Sequence, residues 1–145
     1  MFQKILVPVD GSDTSIAAIH RAVTIARAFG STVTVVSVID PYPFTGVSSD
    51  MAYGQEQYLV AANNEAAAAL DLARNAASGL GFEVEVLVVE GHAVHRGIVE
   101  TAESVDADLI VIGSHGRRGL EKLVLGSVTQ RVLGDAHMPV LVVRD

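Results

Sequence analysis

Runs rich in valine, isoleucine and leucine recur at residues 5–9, 32–39, 82–89, 109–112 and 140–143, and longer helix-like stretches separate them. The runs are apolar almost without interruption instead of alternating with polar residues. Strands covered on both faces read this way, so the pattern predicts a three-layer α/β fold with a parallel sheet between helices. The first helix is predicted at 13–29, with Ile16, Ile19, Val23 and Ala26 at helical spacing, Ser12 or Asp13 as N-cap and Gly30 as stop. Others are predicted at 56–78, with the series Ala66 to Ala69 and a Gly79-Leu80-Gly81 terminator, at 93–104, and at 127–136 before Pro139. Five strands and four helices result.

An open sheet of this kind binds ligands outside the carboxyl ends of its strands, where the strand order reverses. With the order 3-2-1-4-5 that point lies between the first strand, ending in Val9-Asp10-Gly11-Ser12, and the fourth, ending in Ile112-Gly113-Ser114-His115. Pro8 resists this scheme, because proline removes a ladder donor from a strand read as central. It is tolerated at the strand's last turn, where it marks the end of pairing and the start of the ligand mouth. The segment 40–55, with Pro41, Pro43, Gly46 and Gly54, is long for a connection and suits either a lid or plain flexibility.

The chain's 145 residues and 15.2 kDa fit one domain, 1–145, with a self-sufficient core. Mean hydropathy is high at +0.39, yet no apolar run approaches the roughly 18 residues of a spanning helix. Cysteine is absent, which excludes disulfides, thiolate catalysis and cysteine-ligated metals. The chain opens directly into a strand pattern without signal-peptide features, and a soluble cytoplasmic protein is expected. A net charge of −7 speaks against a protein that grips a nucleic-acid backbone. It leaves room for a small anion held by local donors, and Arg117, Arg118 and Lys122 sit among glycines.

Those glycines carry the chemistry. Gly113-Ser114-His115-Gly116 follows the fourth apolar run, and Gly126-Ser127 comes nine intervening residues later. Gly113 and Gly116 let the backbone approach a ligand closely or take a positive φ. Gly126 and Ser127 open a helix whose first turn presents unpaired N–H groups and a positive dipole end, a phosphate site. The plainer alternative is a glycine turn followed by an ordinary cap; both halves at this spacing after a strand favour binding. The chain has no G-x-x-x-x-G-K-[ST], no G-x-G-x-x-G and no G-x-S-x-G. His92 and His95 are spaced as metal ligands on one helical face, but no third ligand is evident, and exposed or capping histidines are the preferred reading. His115 is either a turn residue or a donor near phosphate. Asp10 is either a cap or a contact to ribose, base or a phosphate-bound cation.

These residues resemble a single-domain universal stress protein. The opening Ile5-Leu-Val-Pro-Val-Asp10-Gly-Ser12, the strand end Val38-Ile-Asp40, the stretch Ile112 to Leu120, Gly126-Ser127-Val128-Thr129 and the ending Met138 to Arg144 all match. The family's nucleotide signature G-x2-G-x9-G-[ST] is met by Gly113, Gly116, Gly126 and Ser127. The resemblance implies a Rossmann-like fold that binds ATP, with magnesium or manganese as the candidate cation. It places Pro8, Val9 and Asp10 at the adenosine end and Val38 against adenine through its backbone. Gly113, His115 and Gly116 would hold phosphates and ribose, and Gly126, Ser127 and Val128 the triphosphate. Arg117 matches a variable position, so a phosphate role for it does not come from the resemblance. A homodimer through the last strand is also implied, and Val140-Leu-Val-Val143, as an uncharged apolar edge, invites such pairing.

The function expected is that of a nucleotide-responsive regulator in the stress response. Phosphate binders are present, whereas Asp10 and His115, the available acid–base groups, have no partner at fixed spacing. A slow ATP hydrolase or phosphotransferase, and a dimeric interaction module without nucleotide, are the alternatives.

Overall fold

A computed structural model describes residues 1–41, 52–116 and 125–144, with the backbone alone at residues 52 and 53. The chain alternates β1 (Lys4–Pro8), α1 (Asp13–Phe29), β2 (Thr32–Ile39), α2 (Ala52–Gly79), β3 (Glu85–Glu90), α3 (Val94–Ser104), β4 (Leu109–Gly113), α4 (Ser127–Asp135) and β5 (Val140–Val143). All pairings are parallel and the sheet order is β3-β2-β1-β4-β5, as the sequence predicts.

Apolar side chains leave the central strands on both sides, which explains the unbroken apolar runs. Ile5, Val7, Val33, Val35, Leu109 and Val111 pack with Ile19, Val23, Leu70 and Ala73 under α1 and α2. Leu6, Val36, Ile110 and Ile112 pack with Ile98, Ala102 and Val132 under α3 and α4. Helix α1 starts at the Ser12 cap, whose side chain accepts the Ser15 N–H, and ends at Gly30 in the left-handed conformation.

Two boundaries differ from the expectation by more than a single residue. Helix α2 begins at Ala52 instead of 56, taking in Gly54, which reads as a loop residue in the sequence. Strand β3 begins at Glu85 instead of 82. Phe82 donates its N–H back to Ala77, and the side chains of Phe82 and Val84 pack on the α1–α2 core, so their hydrophobicity serves packing before the ladder starts. No helix among the described residues is long and apolar enough to cross a membrane.

Candidate functional site

The crevice opens where β1 and β4 part. Their pairing stops at Leu6↔Ile110, while β1 stays paired with β2 as far as Pro8↔Val36. Val9 then donates its N–H to Val36 O at 2.9 Å. Because successive residues of a strand direct their amides to opposite sides, the missing donor of Pro8 faces β4, where pairing has already ended. Pro8 is the last residue of its strand and costs the sheet nothing on that side.

The same alternation places Val38. Val36 faces β1, and Ile39 faces β3, accepting the Gly91 N–H at 3.0 Å. The N–H and C=O of Val38 therefore face the β1 side, two residues past the last β1 partner. One donor and one acceptor from a single residue look over the end of β1. Val9 is only 6% exposed and its side chain lies in the α1–α2 core, so what it offers the crevice is backbone.

Asp10 stands at the mouth. Its Oδ1 accepts the Ser12 N–H at 2.9 Å in a local turn that leads into α1. Its Oδ2 lies over Gly116, where an added Cβ would stand 2.5 Å from it. The end of β1 and the loop after β4, over 100 residues apart in sequence, are thus in contact.

Internal hydrogen bonds join the two glycine clusters. Gly126 donates its N–H to Ser114 O at 2.8 Å, and the buried Thr129 hydroxyl donates to Gly113 O at 2.8 Å. The buried Thr14 hydroxyl in the first turn of α1 donates to His115 O. Helix α4 makes its first internal bond from Gln130 N–H to Gly126 O, so the N–H groups of Ser127, Val128 and Thr129 stand in the unpaired first turn. The Ser114 hydroxyl, in the loop that Gly126 bonds to, is buried without a hydrogen-bond partner among the described residues. Unpaired first-turn N–H groups suit an anion such as phosphate better than a neutral ligand.

The missing side chains of these glycines are required by the protein itself. A Cβ on Gly113 would meet Thr14 Oγ1 at 2.8 Å and Thr14 Cβ at 2.9 Å, and one on Gly126 would stand 3.2 Å from His115 Cα. The close approach that calls for glycine here is to the protein's own atoms, and positive φ is not the reason. The described glycines with positive φ are Gly11, Gly30 and Gly81.

Of the residues singled out in the sequence, Pro8, Val9, Asp10, Val38, Gly113, His115, Gly116, Gly126, Ser127 and Val128 all lie at the carboxyl ends of β1, β2 and β4 or the start of α4. Arg117, Arg118, Lys122 and most of the 40–55 segment lie outside the described residues. His92 and His95 diverge: His92 Nδ1 lies 3.9 Å from Asp40, while His95 Nε2 lies 3.5 Å from Asp135 at the end of α4. Sequence reasoning missed Thr14, Thr129 and Ser114 as parts of the site; a threonine early in a helix carries no signal that sets it apart from a cap.

The fold and crevice define a Rossmann-like α/β protein with a glycine-rich loop at its switch point. The chain belongs to the universal stress protein family: that family's profile matches residues 1–144. Universal stress protein MJ0531 of Methanocaldococcus jannaschii is 38% identical over 144 residues, covering 99% of this chain and 83% of that protein. Among solved structures, hypothetical protein MJ0577 superposes with a TM-score of 0.84 at 30% identity, covering 100% of this chain and 97% of its own. A universal stress protein from Archaeoglobus fulgidus in complex with dAMP gives a TM-score of 0.67 at 27% identity, covering 98% of each chain. One in complex with cAMP gives 0.63 at 30% identity, covering 99% of this chain and 97% of that one.

Proposed function

We propose that the crevice binds an adenine nucleotide, ATP, and that the protein is a cytoplasmic, nucleotide-responsive regulator in the stress response. The observation that carries this reading is the joined cradle: the loop after β4 is bonded to the start of α4 through Gly126 and Thr129 and lies against Asp10, while Val38 turns its backbone edge toward the end of β1. The complexes of related proteins with dAMP and cAMP support the choice of an adenine nucleotide.

In this reading Pro8, Val9 and Asp10 flank the adenosine and Val38 meets the base with its N–H and C=O. Gly113, His115 and Gly116 hold ribose and phosphates, and Gly126, Ser127 and Val128 complete the cradle with first-turn N–H groups. Asp10 accepts hydrogen bonds and carries negative charge, so it suits a ribose hydroxyl, or a magnesium or manganese ion riding on the phosphates, better than a bare phosphate oxygen. Arg117 is assigned to the phosphates as the cation next to Gly116 in sequence. Turnover is slow or absent, and two copies pair through β5.

Thermal denaturation with and without nucleotide tests the binding. At 100 times its dissociation constant ATP should stabilise the fold by about 2.7 kcal/mol. Gly116→Val, which drives a side chain into Asp10, should remove that shift. No shift at millimolar ATP or ADP would favour an interaction module. Incubation with labelled ATP and magnesium or manganese separates retention of one equivalent from many turnovers, the latter marking a hydrolase.

A further inference from the structure

We propose that Gly97 is a positioning residue for the base-binding edge of the crevice, an inference that rests on the adenine-nucleotide reading above. Gly97 lies buried in α3, where glycine is the poorest helix former after proline. Its φ is outside the left-handed region, so backbone conformation does not call for glycine there.

Val38 does call for it. A Cβ on Gly97 would stand 2.6 Å from Val38 Cγ1 and 3.2 Å from Cγ2, but 3.5 Å from Val38 Cβ. Both methyls crowd the position, so a turn about the stiff χ1 of this β-branched residue cannot clear it. Gly91 completes the contact, since a Cβ there would meet Gly97 Cα at 3.1 Å and Val38 Cγ1 at 3.7 Å.

Polar bonds fasten the same junction. Gly91 donates its N–H to Ile39 O, and Asp40 Oδ2 accepts the Ala93 N–H at 3.1 Å. Ala93, the residue before α3, sits at φ 67°, a conformation that a non-glycine residue keeps only when its surroundings hold it. The start of α3 is thereby seated on the last residues of β2, with Val38 as the knob. A base that bonds to both the N–H and C=O of Val38 depends on that seat, because recognition fails when such groups drift by a few tenths of an ångström. The phosphate cradle is built on other elements, the loop after β4 and the start of α4.

The test is isothermal titration of ATP and of inorganic tripolyphosphate into wild type, Gly97→Ala, Val38→Ala and the double variant. Gly97→Ala should weaken ATP about tenfold or more, as overpacking does, and leave tripolyphosphate unchanged. In the Val38→Ala background, where the nearest remaining contact is the 3.5 Å one, the same substitution should have little effect. Equal loss of both ligands, no loss of ATP, or a loss that persists in the Val38→Ala background would overturn the proposal. A wild-type protein that takes up tripolyphosphate or nothing, but not ATP, would instead overturn the adenine-nucleotide reading on which it stands.

Discussion

Thr129 and Thr14 hold the loop after β4, one from α4 and one from α1, each through a hydroxyl donated to a carbonyl of the Gly113–Gly116 turn. Removing the Thr129 hydroxyl takes a donor from a buried carbonyl. Thr129→Val, nearly equal in volume at a site 3% exposed, should cost about 1–3 kcal/mol in chemical denaturation, the price of an unsatisfied buried acceptor. It should also weaken ATP binding, since the first-turn N–H groups of α4 lose their register with the loop. An unchanged denaturation midpoint would mean that the hydroxyl is no strut. At this scale the sequence was half legible. Gly113, Gly116 and Gly126 announce themselves by spacing, because a glycine cluster after a strand is rare. The groups that make those glycines necessary do not: Thr14 is 99 residues from Gly113 and Asp10 106 residues from Gly116, and a threonine near a helix start has an ordinary use as a cap.

At the level of elements, β1 is tied to the start of β4 by Asp108. Its carboxylate accepts the N–H groups of Gln3, at 2.9 and 3.1 Å, and Lys4, at 3.0 Å. Partial burial pushes this carboxyl up, but the backbone donors of Gln3, Lys4 and Asp108 itself, with the N-terminal ammonium, outweigh it and hold its pKa below the ordinary 3.8. A carboxyl depressed in the folded state contributes stability above its unfolded pKa and loses it as pH falls through the folded one. Wild type should therefore exceed Asp108→Asn by about 0.5–1 kcal/mol near neutrality, a modest figure because the group is solvent-screened. The gap should close below pH 3.8, once the folded group protonates. A gap that is constant from pH 7 to 3 would contradict this. Element boundaries were legible where a cap or a glycine stop marks them, as at Ser12 and Gly30 of α1. They were not at α2, which runs through Gly54, or at β3, where Phe82 and Val84 are apolar for the sake of the core and lie outside the ladder.

For the whole molecule, alternation pointed to a parallel sheet, because an apolar run followed by a helix has few ways to return, whereas the order 3-2-1-4-5, which the structure has, rested on taking the sheet to start in its middle. What the order leaves exposed is its two edges, and they differ in chemistry. Strand β3 begins and ends in glutamate, at Glu85 and Glu90, and charges at an edge discourage pairing with another chain. Strand β5 is Val140-Leu-Val-Val143, without a charge, and Leu141 is 39% exposed on it. The two edges thus predict where a second copy attaches: β5 against β5, leaving β3 free. Light scattering at micromolar concentration should give about twice 15.2 kDa, the mass of one chain. Leu141→Lys places a charge on that edge at a side chain the core does not bury, so it should give the monomer mass while the thermal shift with ATP persists. The crevice lies between β1 and β4 and is built within one chain. A wild-type chain that is monomeric under these conditions, or a Leu141→Lys variant that stays dimeric, would place the contact elsewhere or remove it.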